Sequence, residues 1–506
     1  MKRLLYVMAL VAALLIQTAC SDSSNYVYND VDAPTMLSFG FYKADNPGVL
    51  GTDYVVDLSA DQSKGTTTQN VTVAMPPTVE KTRLVARFTT SDGTTVKVGA
   101  DEQVSQTTAN DFTLPVDYIL TKGQLSRRCA VTISKAPLKW KALAEVTGLT
   151  VYGDPVLKLS PLTQQPYIGF KTRAGNSATA ANHSTVLTLG DDGQWKTVGG
   201  EGFGHLVNSS YFDFDIAPDG TLYVAYADQE ATVLKNGMSV MKFNGADWEF
   251  VGTDKGLLKA VSNYACFAAI DGELVGAQVN NSAKADYANR TLVVSNYKDG
   301  AWHSQIPGML TNQVYMANMA GGRDAAYLIS INRGAVSGVN YGYNVLRYSG
   351  GEWTPMVLNY LEPGNTTNNI AMIGVTVARN NVPYIWTMDN ASGQLGVRIK
   401  YYDQATDSWL TLGGNILPLG FTPDRHTEVS LDLAPNGTPY VVYTNSADQG
   451  YPYLMYLDPD THQWSSPSKV ASIDATGLNL KFTNDGVGYI TFCGNSNHLY
   501  TYCTYE

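Results

Sequence analysis

Nine residues of this 506-residue chain have types suited to chemistry on a ligand and lie between apolar runs. Arg173, His205, Tyr211, Arg333, Tyr341, Arg425, His426 and Tyr451 sit in Asn-, Gly- and Tyr-rich segments, and Trp386 closes an apolar run, Tyr384-Ile385-Trp386. Aromatic faces stack on the C–H surfaces of sugars, while guanidinium forks bond hydroxyls or a uronate carboxylate. A carbohydrate is therefore the ligand this mixture suits best. Elimination on a uronate would need a cation at the carboxylate and a His or Tyr to take the C5 proton. Arg425 with His426, and His205 with Tyr211, supply those types, but nothing in their spacing selects the reaction. Capture of a polysaccharide, a polysaccharide-degrading enzyme (a lyase ahead of a hydrolase) and a surface docking another envelope protein all stay open. His pairs at metal spacing, a nucleophile elbow and a phosphate-cradling Gly loop are absent, so no metal and no cofactor are expected. Asp-rich residues 28–32 lack the twelve-residue calcium-loop pattern.

The elements that must position these residues follow a repeat. Strand, Gly-containing turn, Trp and second strand occur together in Val240-Met241-Lys242-Phe243-Asn244-Gly245-Ala246-Asp247-Trp248-Glu249-Phe250-Val251-Gly252. The unit recurs at Trp140, Trp195, Trp302, Trp353, Trp409 and Trp464, with gaps of 55, 53, 54, 51, 56 and 55 residues. A period of that size holding four short strands marks a propeller blade. A second ladder of apolar pairs, from Pro166-Tyr167 to Gly488-Tyr489, precedes each Trp but the first. The last pair has no Trp after it, and the first Trp has no pair before it. A ring hides its terminal sheet edges if those halves complete one another. The expected fold is all-β, with a seven-bladed β-propeller over residues 137–506 closed by one N-terminal strand, at Trp140, plus three C-terminal strands. Regular recurrence makes the ladder tryptophans packing residues between sheets. Trp386 alone breaks the period and is expected to point to the ligand face with the long loops, those joining strand two to three and four to one.

The blade sequences resemble those of bacterial secreted propellers. Asp403-x-x-Thr406-x-x-Trp409 and Asp458-x-x-Thr461-x-x-Trp464 are kelch-like, without the double glycine of kelch blades. Sialidase boxes are not matched: Phe243 and Tyr348 stand where their Asp should be.

Before the propeller, residues 35–136 hold seven short alternating segments separated by Gly, Pro, Asp and Asn turns, which suggests an Ig-like β-sandwich. Phe39-x-Phe41, Asn46-Pro47, Val71-x-Val73-x-Met75-Pro76 and Val131-x-Ile133 resemble the Ig-like modules of Bacteroidota polysaccharide-utilisation lipoproteins. That resemblance implies a spacer. Met1-Lys2-Arg3, the apolar run Leu4 to Ile16 and Gln17-Thr18-Ala19-Cys20 resemble a lipoprotein signal peptide over residues 1–19, with Cys20 the lipidated (palmitate-bearing) residue and 20–34 a polar tether. The resemblance implies a lipid anchor in the outer membrane, with the cell-surface side expected and the periplasmic face the alternative. A net charge of −11 argues against nucleic acid as partner. The expected partners are an extracellular glycan, the membrane through the anchor and possible envelope proteins. Cys129, Cys266, Cys493 and Cys503 match no zinc spacing, and Cys493 and Cys503 fall out of bridging register, with Cys493 expected opposite His498.

Overall fold

The structure, a computed structural model, describes residues 33–58, 66–173, 182–232, 234–252, 262–282, 286–310, 312–333, 342–362, 372–389, 396–416 and 428–505. The chain is all-β: strands and three single-turn helices account for its regular structure among the described residues. No helix among them is long and apolar enough to cross a membrane. Cys20, Tyr341, Arg425 and His426 lie outside the described residues. Two compact units divide the chain, one formed by Met1–Pro47, Thr52–Met75 and Lys81–Lys135, the other by Gly48–Gly51, Pro76–Glu80 and Ala136–Glu506.

The first unit holds a four-stranded and a five-stranded sheet. Strict alternation drives its packing: along Thr68–Met75 every second residue is buried. Phe39 and Tyr118, from opposite sheets, meet edge-on with centroids 5.6 Å apart, and Phe41 meets Phe112 at 4.8 Å. Gln69 is fully buried and bridges the sheets through its amide, accepting from Met36 N (2.9 Å) and donating to Met36 O (2.8 Å). All seven expected strands are present, with two-residue additions at Asp101–Glu102 and Ala109–Asn110. One pairing, Thr68–Met75 with Leu125–Lys135, is parallel.

Among the described residues, the second unit contains seven four-stranded antiparallel sheets. We number them 1 to 7 by their first strands: Val151–Leu159, Val207–Ile216, Ser262–Ile270, Val314–Gly321, Met372–Val377, Val429–Leu433 and Ala475–Phe482. These first strands contact one another in a closed circuit, sheet 7 returning to sheet 1, which is the arrangement of a β-propeller. Lys139–Ala142 closes sheet 7 by pairing with Leu499–Tyr505, Trp140 opposite Thr504.

Two of the repeated tryptophans are hydrogen-bonded to the preceding sheet. Trp248 Nε1 donates to Val198 O of sheet 1 (2.9 Å), and Trp302 Nε1 donates to Val251 O of sheet 2 (2.8 Å). Gly199 and Gly252 follow those carbonyls with φ of +69° and +81°. A side chain at Gly199 would stand 2.7 Å from the Trp248 ring, so glycine supplies both the left-handed turn and the clearance. The indole N–H groups of Trp140, Trp195, Trp353, Trp409 and Trp464 have no such acceptor among the described residues. Trp464 sits against Gly413 of sheet 5 but makes only an isolated bridge to Leu457, and the fourth strand of sheet 6 is Ser468–Lys469.

Each first strand presents an edge to the axis of the ring, where its N–H groups have no strand to pair with. At the first strands of sheets 1, 3, 5 and 7, side chains of the preceding sheet take that role. Asp213 and Asp215 accept from Phe267 N (2.8 Å) and Ala269 N (2.9 Å), Asn318 from Val375 N (3.1 Å), and Asn479 from Leu157 N (3.2 Å). Between sheets 6 and 7 the acceptors are Glu428, Ser430 and Asp432, for Leu478 N, Leu480 N and Phe482 N. The four described cysteines are buried and unbridged, and Cys493 pairs with Leu499 rather than His498.

Candidate functional site

The meander places the loops from strand two to three and from four to one at one end of the ring. First strands begin at that end. Five of the seven carry a register shift there, at Tyr152/Val156, Val207/Phe212, Asn263/Cys266, Val314/Met316 and Thr476/Asn479. A bulge turns the extra residue out of the ladder and re-aims its side chain. In sheets 2, 3 and 4 the re-aimed residue is a tyrosine. Tyr211 and Tyr264 have ring centroids 5.3 Å apart, and Tyr264 and Tyr315 6.0 Å. Tyr264 holds a left-handed φ of +52°, an uncommon conformation for an aromatic residue. Tyr315 is 39% exposed. Burial pushes the Tyr211 and Tyr264 phenols up, neighbouring phenols push Tyr264 further, and Arg290 pulls both back. With phenols raised in this way, Tyr211 and Tyr264 are suited to stacking and unsuited to taking a proton.

Of the expected residues, Tyr211 therefore lies in an aromatic arc. His205 lies beside the same first strand but turns elsewhere: its Nδ1 is 2.9 Å from Asp228 Oδ2, and its ring meets Phe250 at 4.8 Å. Asp228 is fully buried and also accepts from Ser239 Oγ (2.7 Å) and Glu230 N (2.8 Å). His205 and Tyr211 thus have different partners, and the structure does not pair them as base and helper. Tyr451 lines a separate cleft of about 410 Å³ with Gln449, Ser472, Ile473, Asp474 and Asn495, at the long-loop end between sheets 6 and 7. Lys469 Nζ sits 4.8 Å from the Tyr451 ring. Arg333 is exposed just past the second strand of sheet 4. Arg173 ends the second strand of sheet 1 opposite Asn182.

Trp386 corrects the expectation. It is 7% exposed and packed in the core of sheets 5 and 6 with Met388, Val397 and Ile399, its ring seated over Gly374 of the adjacent strand. It offers no face to a ligand.

Sequence reasoning missed Tyr264, Tyr315, Arg290 and Asp228. The signal for the first two was present: Tyr211, Tyr264 and Tyr315 are 53 and 51 residues apart, the period of the Trp ladder. Two charged clusters at the same end were missed as well. Asp154 and Lys171 of sheet 1 lie in one electrostatic neighbourhood with Glu428 of sheet 6. Asp154 is open to solvent on one side yet walled by protein, so burial raises its carboxyl while Lys171 pulls it down; burial and then Asp154 raise Glu428. Burial pushes Lys171 down to about 8. Lys400, beneath the Tyr360 ring at 4.0 Å, pairs with Glu362 at 2.7 Å.

The opposite end holds a cleft of about 430 Å³ between sheets 2 and 3. Of its charged groups, Lys242 pairs with Glu249 at 3.0 Å, and Glu273 accepts from Tyr348 at 2.6 Å. No group of three or more metal-ligating side chains occurs among the described residues.

Solved structures similar to this chain include the polysaccharide lyase Uly1, at 14% identity and TM-score 0.46 over 70% of this chain and 90% of that one. An ulvan lyase of a new polysaccharide lyase family matches at 10% identity and TM-score 0.45 over 71% and 95%. The β-propeller domain of the Trilobed protease from Pyrococcus furiosus matches at 9% and 0.42 over 70% and 95%. No curated protein matches the chain. In the first unit, residues 58–133 match the family described as SGBP, N-terminal.

Proposed function

We propose that the chain is a lipid-anchored outer-membrane protein of the cell surface, in which an Ig-like spacer carries a seven-bladed propeller that captures a polysaccharide on its long-loop face. The arc Tyr211, Tyr264 and Tyr315 carries this reading. Three phenol rings, re-aimed by bulges on adjacent first strands, form a platform of the kind on which sugar rings stack. The match of residues 58–133 to SGBP, N-terminal, a surface glycan-binding family, supports it. So does the Cys20 lipobox. The test is a binding screen of the chain lacking residues 1–20 against neutral and acidic polysaccharides. Tyr264→Ala and Tyr315→Ala are expected to weaken binding about tenfold each, roughly 1.4 kcal/mol, with melting temperature unchanged. Failure to bind any glycan sinks the reading and leaves protein docking as the leading role.

A second reading, a polysaccharide lyase, draws on His205. Its Nδ1 is fixed by buried Asp228, which leaves Nε2 for a substrate proton. New ultraviolet absorbance from a conjugated double bond, lost in His205→Ala, would move the protein to that class.

A further inference from the structure

The loop after the second strand of sheet 3 presents a cation without a counter-charge. Asn280, fully buried at the end of Glu273–Asn280, organises the loop through its side-chain amide, which reaches Ser282 O, Tyr287 O and Ala288 O at 2.8, 2.7 and 2.9 Å. Arg290 is the product of that fold-back. It takes a left-handed φ of +66°, donates its N–H to Asn280 O (2.7 Å) and accepts Val314 N at its carbonyl (2.8 Å). Its main chain is thus bonded to the residue next to Tyr315. Nε and Nη1 of the guanidinium are shielded from solvent and have no hydrogen-bond partner. No carboxylate pairs with Arg290 among the described residues, although the chain carries a net charge of −11. A shielded cation left unpaired is unfavourable in the free protein, and a site accepts that condition when a ligand supplies the missing acceptor.

Resting on the glycan-capture reading, we infer that Arg290 and the arc Tyr211, Tyr264 and Tyr315 form one subsite for an acidic sugar residue. The sugar ring stacks on the tyrosines, and its carboxylate or sulfate group is held by the planar guanidinium fork, which a point-charge lysine matches less well. Charge is read at one place and ring shape at the neighbouring one.

The test measures affinity of the chain for polygalacturonate, its methyl ester, dextran sulfate and dextran, for the parent and for Arg290→Gln, Arg290→Lys and Tyr315→Ala. An acidic polymer is expected to bind, its uncharged counterpart at least tenfold more weakly. Arg290→Gln should lose at least tenfold on the acidic polymer and Arg290→Lys part of that, while the melting temperature of Arg290→Gln stays equal or rises. The polygalacturonate and dextran sulfate arms separate carboxylate from sulfate. Binding of charged and uncharged polymers alike, unmoved by Arg290→Gln but lost in Tyr315→Ala, would overturn the acidic subsite and leave glycan capture standing. No binding in any arm would overturn both.

Discussion

Trp386 and Gly374 show how one neighbour decides a residue's role. The indole occupies the hollow left by a missing side chain on the paired strand, so its aromatic surface is spent inside the core. Trp386→Ala is predicted to destabilise the propeller by about 3–5 kcal/mol, the cost of removing a buried aromatic. Gly374→Ala should cost about 1–3 kcal/mol through overpacking. Denaturant unfolding checks both, and a Trp386→Ala variant of parent stability but lost ligand affinity would restore Trp386 to the ligand face. From the sequence, this Trp is visible as an irregularity in a regular ladder; the glycine opposite it is visible only once strand register is known. Tyr211 was legible by type and loop position. Asp228 was not, because a carboxylate at a strand end acquires meaning only from the serine and histidine that converge on it from 11 and 23 residues away.

At the scale of elements, the first strands of sheets 1, 3, 5 and 7 are held to the preceding sheet by side chains that take the place of a missing ladder. Asp213 is the most exacting of them. It accepts Phe267 N at 2.8 Å, and burial, with the adjacent Asp215 charge, pushes its carboxyl up to about 6 against the opposing pull of Lys158. A carboxyl raised in the folded state holds its proton more tightly there than in the unfolded chain. Its stabilising contribution is therefore complete below about pH 4 and is lost as pH rises to about 6. Asp213→Asn keeps an oxygen for Phe267 N and removes the titration. Between pH 4 and 6 the parent is predicted to lose roughly 2 kcal/mol more than this variant; parallel stability curves would contradict the assignment. This device escaped sequence reading because donor and acceptor lie one blade apart, 50 to 57 residues in the cases between consecutive sheets. The Trp ladder was legible because its residue type is rare in the chain and recurs at one place in each repeat.

Across the whole propeller, the closed circuit of first strands and the borrowed strand Lys139–Ala142 set a rigid frame, on which bulges turn selected side chains toward one end. The ring and its closure were readable from the unpaired first Trp and last Tyr. The composition of the proposed ligand platform was only partly readable, since it depends on which residue each bulge expels and on where Asn280 folds its loop. The proposed ligand lies on the long-loop face, over sheets 2 to 4, and the short-turn cleft near Asp219 and Tyr297 is uninvolved. Hydrogen–deuterium exchange of the chain with and without a bound polysaccharide tests this most directly. The predicted result is slowed exchange at the beginnings of Val207–Ile216, Ser262–Ile270 and Val314–Gly321 and around Arg290, with no change near Asp219, Asp271 and Tyr297. Protection confined to the short-turn cleft, or to residues 58–133, would contradict the account.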